Sequence, residues 1–309
     1  MSAIQRAARL ARSRAAEGLL PFGDTYKQLQ QLKAAGTKPV LVLTDKSHAV
    51  LHDRTRFVFP SDDQQLTGDV IAVKSTLSTD YAELWLVPED VRNQYPERFT
   101  PLRSLASIYM NDRVSMSYLA HASTTLDLYS FSKYCPRCGT KLLFPYRSCQ
   151  SCRLERYPRQ SPCAIVVVYD PWSDSLLLGQ RINSTVWSLL AGFCESLETI
   201  EDCAVREVME ESRIELDRAT TEIAASQPWP FFTNRFEGTS LMLGCFAQAA
   251  RPNQIPQACE DELAAVKWFP VKDLKQLWME DSDILPMKAS MARFLLQAFL
   301  DSINNESNM

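Results

Sequence analysis

The chain has 309 residues, 46% of them apolar and 23% charged, the balance of a soluble globular protein with room for two or three domains. A formal net charge of −4 argues against a broad basic face for duplex nucleic acid. No uninterrupted apolar run approaches the roughly 18 residues of a membrane span, so no membrane partner is expected.

Nine cysteines, an odd number without a secretory signal, point to a reducing compartment and not to a disulfide framework. Cys163, Cys194, Cys203, Cys245 and Cys259 are scattered and read as small buried hydrophobes. Residues 1–22 carry Arg6, Arg9, Arg12 and Arg14, with Glu17 as their only acid. Two readings of this start stay open: a mitochondrial transit peptide, or a surface helix of the first domain. Over residues 38–87, short apolar runs alternate with turn-formers. The runs 39–43, 56–59, 70–73 and 84–87 are therefore expected as strands, with a helix following at about 112–130. Nothing in residues 1–132 ties to chemistry on its own.

Cys135 and Cys138 form one C-x-x-C pair and Cys149 and Cys152 a second, separated by ten residues. Each pair can wrap one side of a tetrahedral Zn²⁺, and Gly139 permits the tight turn after the first. Four thiolates leave no open coordination position, so residues 133–158 read as a structural zinc ribbon. The apolar, β-branched run 163–169 suits a buried central strand, and 175–180 its hairpin partner across the turn-rich stretch 170–174. Residues 186–190 then lead into Ala191 and Gly192, where the chain bends into a loop and a helix.

At about 100° per residue, Glu207, Glu210 and Glu211 on that helix share an arc of roughly 100°. Three like charges on one face repel, so either the face is solvated or a hard divalent cation gathers the carboxylates. Val205, Val208 and Met209 on the other side suit burial against a sheet. Farther on, prolines flanking Trp229 make 226–232 a stiff, polyproline-like aromatic ledge, a surface for stacking a base or nicotinamide ring or for ordinary packing. A strand at 241–247, an acidic turn at 260–262, and helices at 271–279 and 287–300 complete the chain.

Together these segments resemble the Nudix hydrolase family. Gly192, Glu198, Arg206, Glu207, Val208, Glu210, Glu211 and Ile214 stand at the positions of its signature box. Arg213 stands in place of the box's final Gly, and Leu197 where close relatives often carry Gly. If the helix ends at Arg213 in the left-handed conformation, a non-Gly residue there costs about 1 kcal/mol. The zinc ribbon before the box and the run Ser226, Gln227, Pro228, Trp229, Pro230, Phe231 after it are similar to the NADH pyrophosphatase branch, which includes NAD-capped RNA hydrolases. Phe232 replaces the last Pro of that run.

The resemblance implies an α+β or α/β chain: a Nudix α/β/α sandwich with a mixed sheet over 159–301, preceded by the zinc ribbon and an N-terminal α+β domain over 1–132. It implies Mg²⁺ or Mn²⁺ on Glu207, Glu210, Glu211, the Ala191 carbonyl and Glu262, the last placed by counting back from Trp268. Arg206 is expected to pair with Glu198, bracing loop against helix. Substrate contacts are implied at Tyr157, Gln227, Pro228, Trp229, Pro230, Phe231, Phe232, Thr233, Asn234 and Ala292, with Arg103 the nearest candidate in the first domain.

The implied reaction splits the pyrophosphate of NADH or NAD⁺ into AMP and nicotinamide mononucleotide, and the same bond in NAD-capped RNA. Two alternatives stand beside it: a pyrophosphatase for another nucleotide such as ADP-ribose, or a non-catalytic zinc-ribbon module that holds RNA or protein. The intact Glu207, Glu210 and Glu211 favour catalysis. A homodimer is a family expectation. Ser307, Asn308 and Met309 resemble the Ser-Lys-Leu peroxisomal address, so a cytoplasmic or peroxisomal location is expected, with the mitochondrion left open by the Arg-rich start.

Overall fold

The computed structural model describes residues 3–16, 40–44, 49–51, 70–71, 83–87, 99–101, 133–142, 148–157, 159–229 and 239–304. The chain divides into two units, one of Met1–Gly23, Ser161–Pro228 and Ser240–Met309, the other of Asp24–Gln160 and Trp229–Thr239.

The second of these carries a five-stranded sheet and the cysteine pairs. Its strands β1 (Val40–Thr44), β2 (Ala49–Leu51), β3 (Val70–Ile71), β4 (Glu83–Val87) and β5 (Phe99–Pro101) lie in the order β3-β4-β1-β2-β5. β1 and β4 run parallel and the other pairs antiparallel, so three of the four strands expected from sequence are present in this sheet. The expected strand at 56–59 and helix at 112–130 lie outside the described residues, as do Arg103 and Ser307, Asn308 and Met309.

The first unit is organised by β6 (Gln160–Asp170), which turns into β7 (Ser175–Arg181). Along β6, Ile165, Val167 and Tyr169 enter one apolar cluster, and Ala164, Val166 and Val168 enter another. A strand apolar on both sides is what a sheet covered on both faces requires. β8 (Trp187–Ser188) pairs with β7, and β9 (Leu190–Phe193) with β6. With β10 (Leu216–Trp229), β11 (Thr239–Ala249) and β12 (Leu263–Pro270) the sheet has the order β10-β11-β6-β7-β12. Helix α2 (Ile200–Ser212) covers one face through Cys203, Ala204 and Val208. Helices α1 (Ala3–Ala16), α3 (Val271–Met279) and α4 (Met291–Asn304) cover the other. This is the expected α/β/α sandwich.

Three expectations are corrected. Helix α1 is not a surface helix of the first domain, and residues 1–132 are not one domain. Ile4, Ala7, Ala8 and Ala11 are fully buried in the same cluster as Leu295, Leu296 and Phe299 of α4. Arg12 bonds the Ile223 carbonyl at 3.0 Å and Glu222 at 3.0 Å, and Arg14 pairs with Asp301 at 2.7 Å. The small side chains recur at helical spacing and make a tight-packing stripe that reads faintly in sequence because alanine carries little apolar signal.

The second correction concerns the aromatic ledge. Its first residues, 226–229, are not polyproline-like but end the long strand β10. Pro228 is tolerated because β10 lies at the end of the described sheet, where a missing N–H leaves no interior ladder bond unmade. The third is the start of α4, at Met291 and not 287, where the Ser290 hydroxyl accepts the Arg293 N–H at 3.2 Å as a cap. Among the described residues, no helix is long and apolar enough to cross a membrane.

Candidate active site and thiol centre

Helix α2 is fixed at both ends by local chemistry. Thr199, in extended backbone, caps its start by accepting the Asp202 N–H at 3.1 Å, and Glu201 and Asp202 place acids in the first turn. Arg213 ends it in the left-handed conformation (φ 61°, ψ 19°), donating its N–H to the Met209 carbonyl at 2.9 Å. Leu197, in the preceding loop, is also left-handed (φ 70°), and its side chain is fully exposed. Both positions where the signature box favours Gly therefore have the backbone that Gly favours.

Arg206 locks loop to helix. Its Nε and one terminal nitrogen form a bidentate pair with Glu198 at 2.7 and 2.8 Å, as expected. The same nitrogen that reaches Glu198 also bonds the Phe193 carbonyl at 2.9 Å. The other bonds Glu207 and Glu210, each at 2.9 Å. Fork geometry of this kind gathers all three carboxyl groups where a point charge would hold one. The Arg206 guanidinium holds Glu198 below its ordinary range.

The three helix glutamates do not share one environment. Consecutive residues diverge by about 100° on a helix, so Glu210 and Glu211 cannot face the same way. Glu210 is exposed and held by Arg206. Glu207 is half-buried, and its carboxyl group packs so close to the Gly192 backbone that a Cβ there would overlap it. Burial raises the Glu207 pKa, with Arg206 pulling the other way. Glu211 is only 3% exposed, and its Oε2 has no hydrogen-bond partner among the described residues. Burial pushes Glu211 up to about 8, against the opposing charge of Arg181, and Glu207 and Glu262 add to the rise. The buried face also differs from expectation. Cys203 and Ala204 join Val208 inside, while Val205 and Met209 are only partly covered.

Glu262 reaches this site through tertiary bonds. The Cys259 N–H donates to the Glu211 carbonyl at 3.1 Å and the Gln257 N–H to the Ser212 carbonyl at 2.8 Å, pinning the acidic turn to the end of α2. Within the turn, the Glu262 N–H bonds the Cys259 carbonyl at 3.1 Å, and the Glu262 carbonyl accepts from Ile182 at 3.2 Å. The Ala191 amide favours the Glu211 carboxylate, while the Ala191 carbonyl accepts from Arg181 at 3.5 Å. Sequence reading missed Arg181. It ends β7 opposite Leu263 of β12, and only that register brings it beside Glu262 and the carboxylates.

The donor set has the chemistry that a hard divalent cation takes, although among the described residues only the four cysteine sulfurs already lie close enough together to hold an ion. A buried carboxylate oxygen without a donor among the described residues, with two more carboxylates near enough to raise its pKa, is a site short of positive charge. Glu207, Glu262 and the Ala191 backbone all act on the Glu211 carboxylate, and Glu210 reaches the cluster through the Arg206 nitrogen that it shares with Glu207.

The structure places the other implied contacts as follows. Gln227 is fully buried, and its Nε2 donates to the Ala289 carbonyl at 3.0 Å, tying β10 to the segment before α4. Ala292 is buried in the first turn of α4. Pro228 and Trp229 are partly covered, and Tyr157 is exposed with its hydroxyl on Glu155. Pro230, Phe231, Phe232, Thr233 and Asn234 lie outside the described residues.

In the cysteine cluster, all four sulfurs lie within 4.8 Å of one another, with Cys135 to Cys152 and Cys138 to Cys149 at 3.6 Å. A tetrahedral ion with metal–sulfur bonds of about 2.3 Å separates its ligands by roughly 3.8 Å, so the group is already shaped for one. Two matching turns make it. Gly139 donates to the Cys135 carbonyl at 2.9 Å and Arg153 to the Cys149 carbonyl at 3.0 Å, each in left-handed backbone. Hydrogen bonds from the Thr140 side chain and then its backbone pull Cys138 down to about 6, toward the thiolate a metal takes. Of the scattered cysteines, Cys163, Cys203 and Cys245 are buried, and burial pushes Cys163 and Cys245 up to about 12. Cys194 and Cys259 are partly exposed.

Parts of the chain are similar to known proteins. Residues 159–289 match the NUDIX domain family. The NAD-capped RNA hydrolase NudC of Pseudomonas aeruginosa is 37% identical over 175 residues, 55% of this chain and 56% of that protein. The NAD-capped RNA hydrolase of Schizosaccharomyces pombe is 32% identical over 228 residues, 65% of this chain and 58% of that protein. The chain thus spans little more than half the length of these relatives. Among solved structures, a MutT/nudix family protein from Enterococcus faecalis is similar at 26% identity with a TM-score of 0.32, covering 38% of this chain and 46% of that one.

Proposed function

We propose that the NUDIX domain formed by residues 159–289 is a metal-dependent pyrophosphohydrolase acting on NAD-linked substrates. In this reading it splits NADH or NAD⁺ into AMP and nicotinamide mononucleotide, and removes the NAD cap from RNA. The reading is carried by the buried, partnerless Oε2 of Glu211 beside Glu207 on a helix that Arg206 locks in place. The hydrolase names of the relatives, NAD-capped RNA hydrolases, support the substrate class.

Bound Mg²⁺ or Mn²⁺, held by Glu207, Glu211, Glu262 and the Ala191 carbonyl, would offset phosphate charge and acidify a water. The chain's own residues do the rest. Arg206 holds Glu207 against the Gly192 backbone, so its carboxylate is set in place for the cation before substrate arrives. Water adds to one phosphorus, the bridging P–O bond breaks, and the proton passes to a carboxylate of the cluster. Burial of Glu211 excludes solvent from that side. The four thiols hold a structural Zn²⁺. Homodimerisation and a cytoplasmic or peroxisomal location complete the proposal on family grounds.

Turnover of NADH with Mg²⁺ or Mn²⁺, compared between the parent protein and Glu211→Gln, tests the reading. AMP and reduced nicotinamide mononucleotide from the parent alone support it. A folded, zinc-loaded parent that leaves NADH, NAD⁺ and NAD-capped RNA intact sinks it and favours a binding module.

A further inference from the structure

The acidic site has two guanidinium groups, and they are used differently. Arg206 is committed, with its nitrogens shared among Glu198, Glu207, Glu210 and the Phe193 carbonyl. Arg181 is exposed, and among the described residues its one hydrogen bond is a long one, 3.5 Å to the Ala191 carbonyl. That carbonyl is one of the oxygens proposed for the cation. The strand-end backbone of Arg181 is held opposite Leu263, and the adjoining Ile182 N–H is held by the Glu262 carbonyl, so the side chain has a fixed root and a movable head.

We propose that Arg181 is a positioning residue with two successive partners: it stands against the Ala191 carbonyl beside the carboxylates while no divalent cation is bound, and turns to the substrate's pyrophosphate once one is. This rests on the hydrolase reading above. A guanidinium and a divalent cation repel one another and compete for one carbonyl and one set of carboxylates. Phosphate oxygens offer the released fork a bidentate partner, which a committed Arg206 cannot supply.

Mn²⁺ binding by calorimetry without nucleotide, and the KM for NADH, test this on Arg181→Ala and Arg181→Lys. Loss of the competing charge tightens Mn²⁺ binding by about fivefold in Arg181→Ala, and Arg181→Lys, which keeps the charge, stays near the parent. Both variants raise the KM for NADH, by about tenfold in Arg181→Ala, more than they lower kcat. Mn²⁺ affinity in Arg181→Ala that is unchanged or weaker overturns the proposal, as does a fall in kcat at constant KM. A parent that binds Mn²⁺ no better than Glu211→Gln removes the metal site itself, and the hydrolase reading falls with it.

Discussion

The four thiols come from two short turns between Cys135 and Cys152, whereas the carboxylates come from helix α2 and from the turn that ends at Glu262, with the Ala191 carbonyl added from strand β9. In the thiol centre each ligand pair is shaped by hydrogen bonds within its own turn, Gly139 to Cys135 and Arg153 to Cys149. In the acidic centre no local bond aims Glu211. Its place follows from the packing of Val208 and Cys203 and from the Cys259 N–H on its carbonyl. A site built from turns fails by losing its ion and its fold together. A site built on a packed helix can lose its chemistry while the helix stays.

The largest effect expected from this contrast is at the thiols. Cys149→Ser removes a fully buried ligand, and a structural Zn²⁺ site contributes about 10 kcal/mol or more. Native mass spectrometry should find zinc on the parent and none on the variant, with residues 133–157 becoming protease-sensitive. A variant that kept its zinc would show that the four thiols are not one site.

Glu211→Gln should do the opposite to stability. The folded, metal-free protein holds the Glu211 proton up to about 8, against about 4.3 in an unfolded chain. Folded protein thus binds more protons than unfolded between these values, so stability falls as pH rises from about 4.3 to about 8 and is level above. The change over that range amounts to on the order of 5 kcal/mol for a group this buried. Denaturant titration of metal-free protein between about pH 5 and about pH 9 should show it in the parent and not in Glu211→Gln. By the same linkage, Mn²⁺ affinity of the parent should climb about tenfold per pH unit and level near pH 8. A pH-independent affinity would detach Glu211 from the ion.

Gly192→Ala sharpens the comparison further. The added Cβ overlaps the end of the Glu207 side chain, which can swing aside, so the fold should lose only about 1 kcal/mol. The displaced carboxylate should weaken Mn²⁺ binding by roughly tenfold in calorimetry. Equal losses in stability and in affinity would show instead that Glu207 is rigidly packed.

The smallest effects belong to the turns. Leu197→Gly and Arg213→Gly each relieve a left-handed non-Gly residue and should stabilise by about 0.5–1 kcal/mol, read as a rise in denaturation midpoint. Leu197 is exposed and loses no packing, so its gain should be the cleaner of the two. A loss at Leu197 would mean that its side chain is held by contacts not made within this chain.

Much of this was legible in the amino-acid chain because it is local. The C-x-x-C spacing, the double-faced apolar run of β6 and the eight-residue separation of Glu198 from Arg206 each specify a structure within a few turns of backbone. Even the left-handed end of α2 at Arg213 follows from where the helix must stop. What did not show was non-local. Alanine's small apolar signal hid the docking of α1 on α4, and Pro228 suggested a polyproline ledge where an end strand tolerates it. Glu207, Glu210 and Glu211 form one arc on a helical projection, yet only the sheet beneath α2 decides that Glu211 is buried, Glu207 half-buried and Glu210 exposed. The placement of Arg181 and Glu262 beside them needed the β7–β12 register and the turn bonded to the end of α2. Residue type and spacing set which groups the chain offers. Burial, which raises the energy of an unpaired charge and so creates the demand for a cation, arises only when distant segments pack.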